Sequence, residues 1–373
     1  MRSPASAPPG ATPHYTSERA WLDHLRVLSD LPYPSWALMP TIMETVRRHV
    51  AGSVVNFIWI DADRLSPLAL WVDPINEQAY DSSISSIFAT MEVQLPLTTM
   101  LESRGRAILA IEDSPDYEQC AMYTHVFAPY GIHWGMSVPL RMGRNGLGIM
   151  GIFRAKREQR YTDAEWERWD RVAEILGHLD RGSDNPWHRL PAADFRENSS
   201  AMLWLDARGH IAARGAATRN ILFLARRTGM GPPDWMRNDW HALPPEIRVV
   251  AEAMLAGNED PAERRISMRL DWGWFDFILE KMPVASADGQ STIGIAIRHQ
   301  EPADIALARK LWGWPLSPQE KRILIASLRR PSLAQLAETL GLTVGTLKGY
   351  INEMKKRADV ASLHALVARV FGD

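Results

Sequence analysis

Four sets of residues in this chain have types and spacing that could do chemistry. The first is a run of polar and basic side chains after Gly341, with Thr343, Thr346, Lys348, Lys355 and Lys356 interleaved with Val344, Leu347, Ile351 and Met354. Apolar residues at helical spacing leave the polar set on the other faces, where it can contact an anion. The second set is Cys120, His125 and His133, a conceivable metal group. One cysteine and two histidines in a loop lack the paired spacing of a zinc site, so no metal is assigned. Nothing near Cys120 marks a lowered thiol pKa either.

The third set is Gly146-Leu147-Gly148-Ile149-Met150-Gly151, which matches the dinucleotide fingerprint Gly-x-Gly-x-x-Gly. That fingerprint works only where the glycines open a helix facing the pyrophosphate. Here Asn145-Gly146 stands between two apolar runs, which is a hairpin signal, and a strand is expected to follow. The fourth set is aromatic: Trp59, Trp71, Tyr123, His125, His133 and Trp134 combine large apolar area with polar tips and are candidates to line a small-molecule pocket, with ordinary core as the competing role. A serine nucleophile elbow, a His-Glu-x-x-His motif, a phosphate loop and paired carboxylates are all missing, so no catalytic residue is assigned and an enzyme is not expected. No cofactor is identified.

Composition bounds the elements that must hold these residues. At 373 residues, 46% hydrophobic and 23% charged, the chain is expected to form two or three globular domains. No apolar run approaches a membrane span, no secretion signal opens the chain, and the single cysteine fits a reducing compartment, so a cytoplasmic protein is expected. The net charge of -2 hides an asymmetry. Arg309 to Asp373 carries eleven Lys/Arg against five Asp/Glu, or +6, which leaves -8 for the first 308 residues. A basic module therefore ends an acidic body.

The local signals are densest in that module. Ser317-Pro318-Gln319-Glu320 is a capping box with proline at the first helical position, and Ser332-Leu333-Ala334-Gln335 is a second one. Gly341 ends the second helix and Thr343 opens a third, the makings of a helix-turn-helix. The stretch from Leu316 to Val370 resembles the LuxR-type DNA-binding domain. The resemblance is carried by Leu316 to Leu324, Ser332, Leu336-Ala337, Leu340, Leu342-Thr343, Thr346-Leu347-Lys348, Ile351 and Val360. It implies a four-helix module whose third helix, about 343 to 357, enters the major groove of double-stranded DNA. Ser332, Thr343, Val344, Thr346, Lys348, Gly349, Tyr350, Lys355 and Lys356 would then be divided between base edges and phosphates. Four positions depart from the family: Tyr350 stands for His, Glu353 for Asn, Asp359 for Gly and Leu363 for a basic residue. The last helix, with Leu363, Leu366, Val367, Val370 and Phe371, either closes the core or forms a homodimer contact.

Upstream, helix, strands, a hairpin and a last helix opening at Tyr161-Thr162-Asp163 resemble a GAF domain in their order. Farther on, two strands, helices and three strands (264 to 270, 274 to 284, 293 to 299) resemble a PAS domain. The expected class is thus α+β: two sensory-type antiparallel-sheet domains, GAF-like and PAS-like, followed by an all-α helix-turn-helix domain. The expected boundaries are a flexible leader at 1–16, the GAF-like domain at 17–182, the PAS-like domain at 192–300 and the helix-turn-helix domain at 309–373. The stretch from Arg298 to Lys310 reads as a charged connector. Together these imply a transcription regulator with a small-molecule effector, an operator and RNA polymerase as partners. The alternative is an adaptor that presents the helix-turn-helix to RNA polymerase or another protein.

Overall fold

The structure, a computed structural model, describes residues 18–49, 54–61, 66–73, 109–110, 116–119, 122–142, 146–179, 190–215, 217–225, 242–258, 260–270, 272–283 and 291–372. The leader, the 182–186 linker and Cys120 lie outside the described residues. The chain forms two compact units, one from Tyr33 to Glu301 and one that joins the residues up to Pro32 with Pro302–Asp373.

The Tyr33–Glu301 unit holds two five-stranded sheets. The first is built from β1 (Val54–Asp61), β2 (Ser66–Asp73), β3 (Leu109–Ala110), β4 (Ile132–Met142) and β5 (Gly146–Ala155), in the order β2-β1-β5-β4-β3. Its paired strands run antiparallel. Period-2 alternation gives the sheet two apolar faces. Val55, Phe57 and Trp59 point one way, toward α2 (Ser35–His49), while Val54 points the other way into a cluster of Tyr117, Phe127, Ile132 and Phe153. The glycine motif is strand, as expected: a Cβ on Gly148 would stand 2.3 Å from the Phe57 ring, so the missing side chain makes room for that ring.

Helix α3 (Asp163–Leu176) opens with a capping box between Thr162 and Glu165 and packs on β4. Glu165 also binds Arg154, whose guanidinium lies 4.1 Å from the Tyr161 ring centroid. Burial would raise the Glu165 pKa, but the hydrogen bonds from Arg154 and Thr162 outweigh it and hold it below the usual carboxylate value.

The second sheet has the order β7-β6-β10-β9-β8, from β6 (Phe195–Leu205), β7 (Ile211–Arg214), β8 (Arg265–Leu270), β9 (Gly273–Pro283) and β10 (Ser291–Pro302). Strand β9 pairs antiparallel with both β8 and β10, and β6 with β7. Helices α4 (Thr218–Leu224) and α5 (Pro245–Ala256) pack on β6 and β9. Phe275, Phe277, Leu279, Ile293, Ile295 and Ile297 form its fully buried face. Asp276, buried on the opposite face, accepts from Ser267 Oγ (2.5 Å), Gln300 Nε2 (3.0 Å) and Arg265 Nη2 (3.3 Å). Three donors satisfy a carboxylate that would otherwise be costly to bury.

The second unit is helical. Its elements are α1 (Glu18–Ser29), α6 (Ala303–Lys310), α7 (Pro318–Ser327), α8 (Leu333–Thr339), α9 (Val344–Ala358) and α10 (Leu363–Phe371). Two features differ from the sequence reading. The stretch read as a charged connector is the end of β10 followed by α6, with Ala303, Ile305, Ala306, Leu307 and Ala308 buried. Its charges sit at the two ends, Asp304 in the first turn and Arg309 and Lys310 in the last, where each sign suits the helix dipole. Helix α1, grouped with the upstream domain by sequence order, packs on α6 and α7.

Candidate nucleic-acid interface

Local hydrogen bonds explain why the basic module folds as it does. The Ser317 hydroxyl accepts from Glu320 N, and the Glu320 carboxylate accepts from Ser317 N at 2.7 Å. Ser332 and Gln335 repeat the arrangement at the start of α8. Both boxes satisfy amides that a helix start leaves without intrahelical partners. Gly341, at φ 63°, then turns the chain, with Leu342 N donating to Ala337 O at 2.9 Å. Such a conformation favours glycine. Thr343 caps α9 by accepting from Thr346 N at 3.1 Å, and the two threonine hydroxyls lie 2.9 Å apart.

Helix α9 is anchored by Leu347 and Met354, both fully buried, with Tyr350, Ile351 and Lys355 half-buried beside them. The opposite side is exposed and carries Gly345, Lys348, Gly349, Asn352 and Lys356 at intervals of three and four, so one face presents all five. Among the residues expected at an interface, Lys348, Gly349 and Lys356 lie on that stripe. Val344 is 39% exposed at its edge. Ser332 and Thr343 are exposed but double as caps, Thr346 is exposed and its amide and hydroxyl meet the Thr343 hydroxyl, and Tyr350 and Lys355 sit on the flanks. Gly345 and Asn352 were not singled out by sequence, although their spacing from Lys348 and Lys356 is the signal that finds them. A Cβ on Gly349 would meet nothing within 4 Å, so no packing inside the unit requires glycine there.

Several of the module's cations have partners within the unit. Arg357 donates to Glu320 Oε1 at 2.6 Å and to Pro315 O at 2.9 Å, so it ties α9 to α7. Burial would raise the Glu320 pKa, but hydrogen bonds from Arg357 and Ser317 hold it below the ordinary value. Arg322 pairs with Asp30, and Lys310 donates to Phe371 O at 2.8 Å while covering the Phe371 ring. Lys321 is buried, and desolvation pushes its ammonium down to about 8 against the opposing pull of Asp23. Lys348 and Lys356 remain as the exposed cations of the α9 stripe.

One departure from the LuxR-type pattern has a geometric account. Asp359 ends α9 in the left-handed region at φ 49°, where the family's glycine fits and aspartate is tolerated. Around Leu363, the neighbouring residues Leu366, Val367 and Val370 are buried within the unit, and α10 packs on α6, α7 and α9. The apolar stripe of α10 closes the core.

The aromatic candidates do not converge on one pocket. Trp59 faces α2, where its Nε1 donates to Ser35 Oγ at 3.1 Å and its ring stacks on Trp36 at 4.2 Å. Tyr123 packs against the cluster on the opposite face. His133 lies edge-on to Tyr123 (5.9 Å) and to Trp134 (4.5 Å). Trp134 donates to Glu158 O at 2.8 Å. The structure thus brings Tyr123, His133 and Trp134 together and leaves Trp59 apart. The side chains of Trp71 and His125 lie outside the described residues.

No known protein family and no curated protein matches the chain. Among solved structures it is similar to SdiA in complex with octanoyl-rac-glycerol, at a TM-score of 0.30 and 10% identity, over 96% of this chain and 94% of that one. Escherichia coli SdiA in another crystal form gives 0.29 and 10%, over 95% and 96%. The DhaR(N)-DhaL complex of E. coli gives 0.18 and 13%, over 76% and 88%. Among the described residues no helix is long and apolar enough to cross a membrane.

Proposed function

We propose that this chain is a sequence-specific DNA-binding transcription regulator of the LuxR type, with a sensory region upstream of its helix-turn-helix. The observation that carries the reading is the exposed stripe of Lys348, Gly349, Asn352 and Lys356 on a helix fixed from behind by Leu347 and Met354. Lysines at its margins suit phosphates, an asparagine between them suits an adenine edge, and glycine lets the helix backbone approach closely. The two sheets of the Tyr33–Glu301 unit supply GAF-like and PAS-like frames for a small-molecule effector, with Tyr123, His133 and Trp134 as the grouped candidates. The protein acts in the cytoplasm as a homodimer on a two-fold operator, contacts RNA polymerase, and carries no catalytic residue. Because the apolar side of α10 is buried in its own unit, the dimer contact lies elsewhere.

The test is duplex binding as a function of salt, with a duplex selected from a random pool. Log affinity should fall steeply with log salt, and Lys348→Ala with Lys356→Ala should reduce that slope by about 2. Asn352→Ala should instead relax the preference at one base pair, by about 1–3 kcal/mol of discrimination. Absence of any salt-dependent duplex binding sinks the reading. One feature favours the adaptor alternative: Leu333, 42% exposed, and Val344 present apolar groups at the starts of α8 and α9. An adaptor would capture RNA polymerase yet select no sequence from the pool.

A further inference from the structure

The chain passes between its two units twice, at Pro32–Tyr33 and at Glu301–Pro302. On the helical side both passages begin or end in helices that pack on each other. Helix α1 ends at Ser29, α6 starts at Ala303, and both lie against α7, the helix that precedes the α8–α9 helix-turn-helix. Helix α1 brings Trp21, Leu22, Leu25 and Leu28 into the buried core, Asp30 to Arg322, and His24 to Trp312, whose rings meet edge-on at 4.9 Å.

Inside the Tyr33–Glu301 unit the two passages are also joined. Trp36, the second residue of α2, accepts at its carbonyl from Trp272 Nε1 at 2.8 Å. The Trp272 carbonyl in turn accepts from His299 Nε2 at 2.7 Å, and His299 stands on β10, three residues before Pro302. Trp272 and His299 are both almost fully buried, and His299 stacks on Phe275 at 4.6 Å. Gly273, at φ 129°, makes this approach possible: a Cβ there would lie 2.3 Å from Gln300 O and 2.9 Å from His299 Nε2. The seam therefore fixes the start of α2, six residues after α1 ends, to the end of β10 just before α6.

We infer that the Trp36–Trp272–His299 seam and the α1–α6 pair form one coupling device. The seam sets the separation of the two chain passages on the sensory side, and α1 with α6 converts that separation into the packing of α7 beneath the recognition helix. A device of this kind works because packed elements have discrete arrangements and a shift in one changes the free energy of the other. The consequence for DNA rests on the regulator reading, whereas the mechanical coupling does not.

The experiment is hydrogen exchange on the full chain. Trp272→Phe keeps a large ring but deletes the donor to Trp36. In this variant the amides of Trp21 to Leu28 and of Ile323 and Leu324 should exchange about fivefold to tenfold faster, the scale of one lost buried hydrogen bond, while those at the centre of the β1–β5 pair stay unchanged. Coupling is reciprocal. Leu25→Ala in α1 should accordingly speed exchange of the Trp272 indole N–H by several-fold. Faster exchange confined to the mutated unit in both variants overturns the inference. If Trp272→Phe also loses protection in the sheets, the Leu25→Ala arm decides alone. A wild-type chain that binds no duplex removes the regulator reading without touching the exchange result.

Discussion

Asp359 and Lys321 each hold a position at some cost, and each cost can be measured. Asp359 adopts φ 49°, outside the region an L-residue prefers, to let its N–H reach the carbonyls of Lys355 and Lys356 at the end of α9. Asp359→Gly keeps that backbone bond and relieves the strain, so it should stabilise the helical unit by about 1 kcal/mol, read as slower exchange of the last α9 amides. Lys321 acts through its charge. In the folded chain its pKa is about 8, against an ordinary value of 10.5. Between those values the unfolded chain holds a proton that the folded chain has released, so stability of the helical unit rises with pH through the window of about 8 to 10.5. Below pH 8 both states are charged and the full penalty, on the order of 3 kcal/mol, is present. Lys321→Met should therefore stabilise the unit at pH 7 by up to that amount and flatten its stability between pH 8 and 10.5. Denaturant unfolding across that pH range checks both outcomes.

At the level of elements, what could be read from the sequence follows the range of the interaction that makes each element. Helices α7 and α8 were legible because Ser317 with Glu320 and Ser332 with Gln335 are bonds between residues three apart. Strand β5 was legible because Asn145-Gly146 separates two apolar runs. Helix α6 was not: its five buried residues are bracketed by Arg298 and Lys310, and charge at the margins masked an apolar middle. The aromatic set was chosen by residue type, but face is decided by parity along β1, which puts Trp59 opposite Val54 and so apart from Tyr123. The same limit applies to Arg357, which charge counting includes in the module's +6 although it braces α9 against α7. Arg357→Ala leaves the Glu320 carboxylate buried without that partner. Allowing for the guanidinium's 40% exposure, the change should destabilise the helical unit by about 2 kcal/mol. It should leave the salt slope of duplex binding, measured where the unit is folded, close to wild type, whereas Lys356→Ala should lower it by about 1.

For the whole molecule, the longest-range fact is that α1 belongs to the unit built by residues 302–373, with Asp30 and Arg322 paired across 292 positions of sequence. No local pattern announces such a partner. Trp21, Leu25 and Leu28 are each fully buried, and burial of side chains this size contributes on the order of 2 kcal/mol apiece. Together that is comparable to the roughly 5–15 kcal/mol that stabilises a typical domain. The Tyr33–Glu301 unit is then an insertion into the chain of the helical unit, and the stretch from Leu316 to Val370 is only part of what must fold. A fragment of residues 302–373 should accordingly unfold without a sharp transition, or at least about 15 °C below a chain in which residues 18–32 are joined to it by a flexible Gly/Ser linker. Thermal unfolding followed by circular dichroism separates the two cases. Equal transitions would show that the helix-turn-helix folds independently of α1. A restored transition in the linked chain, lost again on Leu25→Ala, would show that the helical unit is assembled from residues 18–32 together with 302–373.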